Sequence, residues 1–239
     1  MRGAVAVLTL LVPLAVQADD KKPRYETRAD HDPNGIGKFY MGREIAHVMG
    51  YQAAGWLERT EREKEEEPGK LLKALGLKPG MVVADVGAGS GYHTFRMAPA
   101  VGPTGKVLAV DVQPEMIELL TARAKKEKIP NVEPVKSTPT DPKLPADGVD
   151  LALMVDVYHE FSHPYEMAEK LVAALKPGGR LVFVEFRLED PQVPIKLVHK
   201  MSERQVIKEM GEFPELVHTK TVNTLLWQHI IIFTKKGKK

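Results

Sequence analysis

The chain of 239 residues contains no cysteine. Disulfides, thiolate nucleophiles and cysteine-bound metals are therefore excluded, and an oxidising compartment would pose no mispairing risk. Excess charge of one sign is also missing: 34 basic residues face 32 acidic ones, for a net +2. No global basic field points to nucleic acid, which is not expected as a partner. There is no internal repeat and no low-complexity tract. No apolar run reaches the roughly 18 residues that a membrane-spanning helix needs. Of the eight histidines (His31, His47, His93, His159, His163, His199, His218, His229), only His159 and His163 stand four apart, within the H-E-x-x-H pentapeptide His159-Glu160-Phe161-Ser162-His163. That pentapeptide lies outside the expected helices, where the motif brings its histidines onto one face, and no metal site is expected.

What is present is the composition of a globular domain, 43% hydrophobic and 28% charged. That length suffices for one full core and a sheet of about seven strands. The N-terminus reads separately. Arg2 precedes an apolar run from Ala4 to Val16, a small-residue step at Val16-Gln-Ala18, and the charged Asp19-Asp20-Lys21-Lys22. This pattern predicts a secretory signal peptide over residues 1–18 and a periplasmic or secreted mature chain of about 220 residues, with no stable membrane span after cleavage. An uncut anchor is the alternative.

Residues 19–69 are expected to form an N-terminal arm and a lid. Residues 19–37 are rich in turn formers (Pro23, Asp32-Pro33-Asn34-Gly35) and read as irregular. In 38–50, Met41, Ile45, Val48 and Met49 recur at helical spacing, and Tyr40, Glu44, His47 and Tyr51 share a neighbouring face. The charge run Glu58–Glu67 reads as a solvated helix. Leu71–Leu75 form a short helix closed by Gly76. From residue 70 to 239 strands are expected near 82–86, 107–111, 132–136, 149–156, 180–186, 213–218 and 227–234. Helices alternate with them near 91–100, 114–127, 164–175 and 202–211. That rhythm predicts an α/β fold: a mostly parallel sheet covered by helices on both faces, with ligands at the carboxyl ends of its strands.

The most informative stretch is Val82-Val-Ala-Asp-Val-Gly-Ala-Gly-Ser-Gly91. A β-branched run enters three glycines at alternating positions, Gly87, Gly89 and Gly91, as a buried strand enters a tight turn. Twenty residues beyond Gly91 the run Val107-Leu-Ala-Val110 ends in Asp111. Strand, glycine loop, helix, strand and terminal acid form one nucleotide-binding unit, with Asp111 placed to accept hydrogen bonds from ribose hydroxyls. The G-x-G-x-G spacing differs from the G-x-G-x-x-G of dinucleotide-binding folds, and no Lys-Ser/Thr pair follows, which excludes a P-loop.

The D-V-G-A-G-S-G pattern resembles motif I of class I S-adenosylmethionine-dependent methyltransferases, in the branch similar to ubiquinone/menaquinone-biosynthesis enzymes. Three further stretches match in order: Val149–Asp156 with Val157–Phe161 after it, Leu175–Val184 with its Lys-Pro-Gly-Gly turn, and Trp227–Thr234 as the last strand. The resemblance covers roughly residues 70–236. It implies a Rossmann-like seven-stranded sheet with an antiparallel last strand, an N-terminal helical lid, S-adenosyl-L-methionine as cofactor and a small-molecule acceptor. It further implies that Asp85 lies near the amino-acid end of the cofactor, that Gly87, Gly89 and Gly91 pack beneath it, and that Asp156 contacts its sulfonium or amine. Where the family carries an acid for the adenine amino group, this chain has Ser137-Thr138-Pro139-Thr140-Asp141, so Thr138 takes the position, with Asp141 as the alternative.

Methyl transfer is an in-line displacement that mainly needs two partners held at near-attack distance without water. A base is needed only if the acceptor must lose a proton. His159, just past the fourth strand, is the candidate, because imidazole titrates near neutrality and the resemblance places it towards the acceptor. Glu160 could orient it. Tyr92 and His93 are candidates to touch the cofactor's carboxylate, and Tyr40, His47, Tyr51 and Trp56 to wall the acceptor pocket. Two other readings stay open: a nicotinamide-dependent oxidoreductase, disfavoured by the glycine spacing, and a non-catalytic module that only binds an adenosine ligand.

Overall fold

A computed structural model describes residues 23–237. The expected signal segment, residues 1–18, lies outside the described residues. The first described elements are strands, not helices: β1 (Tyr25–Thr27), β2 (Gly35–Tyr40) and β3 (Arg43–Ala46) form an antiparallel sheet in that order. Met41 and Gly42 join β2 to β3 with φ of 50° and 93°. Two successive positive φ values are what a two-residue hairpin demands, and glycine at the second makes it accessible. The helix expected over residues 38–50 and the irregular arm over 19–37 are thus both corrected. The recurring apolar side chains fall in the hairpin turn (Met41), in β3 (Ile45) and in the loop after it (Val48, Met49), so they share no helical face.

Short helices follow: α1 (Ala54–Leu57), α2 (Arg62–Glu65) and α3 (Pro68–Leu75). Pro68 opens α3, and Gly76, at φ 56°, closes it in the left-handed conformation. The solvated helix expected over 58–67 is corrected as well. Only one turn of it is α-helical, and Arg62 and Glu66 are buried.

The main sheet comprises β4 (Val82–Val86), β5 (Lys106–Asp111), β6 (Val132–Lys136), β7 (Val149–Val155), β8 (Leu175–Phe186), β9 (Leu216–Val222) and β10 (Gln228–Lys235). Its order is β6-β5-β4-β7-β8-β10-β9. β10 pairs antiparallel with both neighbours, and the pairs from β6 to β8 are parallel. This is the seven-stranded, mostly parallel arrangement with a reversed last strand that the sequence implied. The sixth strand begins three residues later than expected.

Residues on adjacent strand positions point to opposite faces. Leu151 and Leu153 join a core with α3, α4 (Thr94–Val101) and α5 (Pro114–Glu127), whereas Ala152 and Met154 join one with α6 (Pro164–Ala174) and α7 (Glu203–Met210). Because β4 and β7 are adjacent while the chain runs outward from β4 through β5 to β6, their carboxyl ends form the crevice where ligands bind in such sheets. The small N-terminal sheet is tied to the rim of that crevice. Arg43 forms an ion pair with Glu209 at 2.8 Å and donates to the His159 carbonyl at 3.1 Å.

Candidate active site

A cavity of about 510 Å³ opens over the carboxyl ends of β4, β5 and β7. At one end lies the glycine loop. Gly87 and Gly89 line the cavity and hold φ of 75° and 54°. A Cβ at Gly87 would strike Val157 at 2.4 Å, whereas one at Gly89 would meet Leu57 Cδ1 at 2.7 Å. Gly91 is turned away from the cavity: a Cβ there would enter the core against Phe95 and Leu120, at 2.5 and 2.8 Å. Its expected place under a ligand is therefore corrected to a packing role.

Asp111 ends β5 at the cavity wall. Its Oδ2 accepts the Gly89 N–H at 2.9 Å and its Oδ1 the Gln113 N–H at 2.8 Å. A carboxylate offers about four acceptor positions, so these bonds do not exhaust it. Burial pushes its pKa up, and the Gln113, Gly89 and Val112 N–H groups oppose that rise.

Asp85 does not line the cavity. It is buried beneath the loop, accepts the Thr94 hydroxyl at 2.6 Å, and burial raises its pKa to about 6. Its expected contact with a ligand is corrected, because its carboxylate is engaged by Thr94 away from the cavity lining. Tyr92 and His93 are buried too and do not line the cavity; the Tyr92 hydroxyl donates to Glu63 at 2.8 Å.

Asp156 follows β7 with a φ of 50°, unusual for a residue other than glycine. Its N–H donates to the Val184 carbonyl at 2.8 Å, which fixes that turn. Oδ2 accepts the Gln228 side-chain N–H at 2.6 Å. Oδ1 is buried without a partner among the described residues. Burial, with Glu66 and Glu185 nearby, drives its pKa well above the ordinary carboxylate value. A buried orphan acceptor in a cavity wall marks a place for a donor from a ligand.

Thr138 also lines the cavity, with its hydroxyl 3.4 Å from the Asp141 carbonyl. Asp141 itself turns away and binds Lys143 through both carboxylate oxygens. Of the two alternatives, only Thr138 faces the cavity. Among the aromatic candidates only Trp56 lines it; Tyr40 is buried, and His47 and Tyr51 lie outside.

The far end is a cluster of titratable groups on the single 3-10 turns Tyr158–Glu160 and Leu197–His199. His159 Nδ1 lies 2.6 Å from Glu185 Oε2, and Glu185 is fully buried at the end of β8. A carboxylate on Nδ1 favours the proton there, while Nε2, at the cavity wall, lies 3.2 Å from His199 Nδ1. Burial opposes the charged ring, but the Glu185 and Glu160 carboxylates outweigh it and His159 is raised above its ordinary pKa. Glu160 is pushed up to about 7 by burial, and His199 is pushed down to about 4 by burial and the neighbouring His159.

Two lining residues escaped the sequence reading. Arg62 sat inside a charge run that pattern alone assigns to solvent. It is only 4% exposed, bonds Glu66 at 2.6 Å and the Leu57 carbonyl at 3.0 Å, and packs over the Tyr92 ring. His199 lies forty positions from His159, so no local spacing could join them. His159, Glu160 and His199 nevertheless bring three ligand atoms within 4.8 Å of one another. The local H-E-x-x-H spacing starts on a 3-10 turn instead of a helix, and it is His199, not His163, that completes the group, so the expectation of no metal site is corrected to a candidate one.

Residues 77–236 match a family described as a methyltransferase domain. The chain is 26% identical over 158 residues to a demethylmenaquinone methyltransferase of Lactococcus lactis, covering 66% of this chain and 61% of that protein. It is 30% identical over 116 residues to a ubiquinone/menaquinone biosynthesis C-methyltransferase of Ectopseudomonas mendocina, covering 48% and 45%. The chain thus spans less than two thirds of these curated relatives. Among solved structures, a SAM-dependent methyltransferase from Aquifex aeolicus superimposes with a TM-score of 0.74 at 28% identity, over 79% of this chain and all of that one.

Proposed function

The chain belongs to the class I S-adenosylmethionine-dependent methyltransferases, and from that premise we propose that it methylates a small molecule held in the far half of the same cavity. The carrying observation is continuity: one cavity of about 510 Å³ reaches from Asp111 and Gly89 to His159 and His199. That size suits small ligands, which sites of roughly 300–1,000 Å³ bind.

The residues fit the cofactor. Asp111, with acceptor capacity left beyond its backbone bonds, would hold the ribose hydroxyls. Gly87 and Gly89 let the backbone lie close beneath it. Asp156 Oδ1, lacking a donor, would accept from the amine, and Arg62 would pair with the carboxylate as a planar guanidinium does. Thr138 would face the adenine. When bound, S-adenosylmethionine supplies an electrophilic methyl group.

The chain's own task is to hold the acceptor in line and exclude water. Val48, Met49, Trp56, Phe161 and Ile195 line the cavity. This apolar lining favours an acceptor with a hydrophobic or aromatic body. His159, its ring held by Glu185, lies at the cavity wall and is the residue placed to activate the acceptor.

Purified chain mixed with S-adenosylmethionine and pools of small hydrophobic acceptors should release S-adenosylhomocysteine only with some pools, and His159→Ala should abolish that release. Cofactor binding without turnover on any pool would favour the non-catalytic reading instead.

A further inference from the structure

We propose that His159 Nε2, Glu160 Oε1 and His199 Nδ1 form a site for one divalent first-row transition ion on the acceptor side of the cavity. The three atoms form a triangle with sides of 3.2, 3.9 and 4.0 Å. The point equidistant from its corners lies about 2.2 Å from each, close to the roughly 2.0–2.2 Å bonds that imidazole and carboxylate ligands make to such an ion. Very little movement is needed to close the site.

The surroundings support the same ligand set. A metal-bound histidine commonly donates its other ring N–H to a carboxylate, which fixes its tautomer and strengthens the ligand. Glu185 Oε2, 2.6 Å from His159 Nδ1, holds that position. Charge also balances. Glu160 and Glu185 are two nearly buried carboxylates, and Glu160 Oε1 has only a long 3.3 Å contact from the Met49 N–H as a donor among the described residues. A divalent cation would neutralise both.

Two imidazoles and one carboxylate suit zinc, iron, cobalt or nickel, whereas magnesium and calcium prefer oxygen ligands throughout. Three protein ligands leave further positions open, and these face a cavity lined by the groups assigned to the acceptor. An acceptor that bears an oxygen donor, such as a hydroxyl or an enol, could complete the shell and be polarised there. In the ion-bound protein, His159 Nε2 is a ligand and not a base. That consequence rests on the methyltransferase reading above; the ion site itself does not.

The test uses the full chain without an affinity tag, stripped with a chelator and titrated with Zn²⁺ in a calorimeter. One saturable equivalent is expected, undisturbed by excess Mg²⁺. His199 is partly exposed, so His199→Ala should leave the apo melting temperature nearly unchanged. It should weaken Zn²⁺ binding by at least about 100-fold, the upper range for loss of even an outer partner. Glu160→Gln should weaken it by about tenfold or more. His218→Ala, on β9 and away from the cavity, should change nothing. Co²⁺ should give visible ligand-field absorption in the wild-type chain that His199→Ala loses.

The proposal is overturned if the wild-type chain takes up no saturable Zn²⁺, if His199→Ala binds it within threefold of wild type, or if His218→Ala weakens it equally. A parallel titration with S-adenosylmethionine keeps the two readings apart. Cofactor binding without zinc binding defeats the ion site alone, and zinc binding without cofactor binding defeats the proposed function alone.

Discussion

The Gly89 N–H donates to Asp111 Oδ2 at 2.9 Å, so the acid that ends β5 also pins the glycine loop that leaves β4. One carboxylate therefore shapes the cavity and offers acceptors to its contents. Asp111→Ala should weaken S-adenosylmethionine binding by about 1.5–3 kcal/mol, since two ligand hydroxyls would lose a charged partner. Asp111→Asn, which keeps one acceptor for Gly89, should lose less. Calorimetry giving unchanged affinity in a folded Asp111→Ala variant would remove Asp111 from the ribose site.

Gly89 and Gly91 share positive φ but face different surroundings, and substitution should separate them. At Gly89 a side chain enters the cavity against Leu57, so Gly89→Val should abolish cofactor binding. The left-handed backbone adds a stability cost of about 1–3 kcal/mol. At Gly91 even a methyl group meets Phe95 and Leu120. Gly91→Ala should therefore lower the melting temperature while the remaining folded protein binds S-adenosylmethionine almost normally. Melts with and without ligand check both; a Gly89 variant still stabilised by ligand would contradict the cradle.

The contrast between these glycines explains what sequence could reveal. From β4 onward the buried strands are mostly β-branched or leucine-rich runs, β4, β5 and β7 each entered just after a glycine, so the order of elements, the glycine loop and Asp111 were all legible. The hairpin β2–β3 was not. Its turn, Met41-Gly42, lacks the usual asparagine or aspartate, and apolar residues of the turn, of β3 and of the loop after it happen to recur at helical spacing. Burial of Arg62 was also hidden, because a charged residue amid charges goes inside only when a partner such as Glu66 follows it there. Asp85 shows a further limit: a motif position locates an acid near a loop without revealing which side of the loop it faces.

The Arg62–Glu66 pair gives a stability prediction. Both side chains are nearly inaccessible, at 5% and 2% exposure, and lie 2.6 Å apart. Removing one partner of a buried pair strands the other charge, at a cost of about 3–5 kcal/mol. Arg59 also reaches Glu66, at 3.0 Å, so Arg62→Ala should fall at the lower end of that range. Replacing both partners, Arg62→Met with Glu66→Leu, should recover most of the loss, since no charge is then left alone. Urea denaturation of the single and double variants measures this; a double variant as unstable as Arg62→Ala would show that the guanidinium's bond to the Leu57 carbonyl matters more.

Asp85 makes stability depend on pH in a definite direction. Burial raises its folded pKa to about 6 from an ordinary 3.8, with the Thr94 hydroxyl opposing the rise. The folded state therefore binds this proton more tightly than the unfolded chain does. Its contribution is fully present below pH 3.8 and is lost as pH rises through about 6. A shift of about two units at 1.36 kcal/mol each sets an upper bound of roughly 3 kcal/mol on the penalty at pH 8. Asp85→Asn is neutral at every pH, and its side-chain oxygen can still accept the Thr94 hydroxyl. The variant should therefore be more stable than the wild type at pH 8 by about 1–3 kcal/mol, with the advantage shrinking as pH falls towards 4. Denaturant titrations of both proteins across that range provide the measurement. If Asp85→Asn is instead less stable at pH 8, the carboxylate is held ionised beneath the glycine loop, and the bond from Thr94 outweighs the cost of burying its charge.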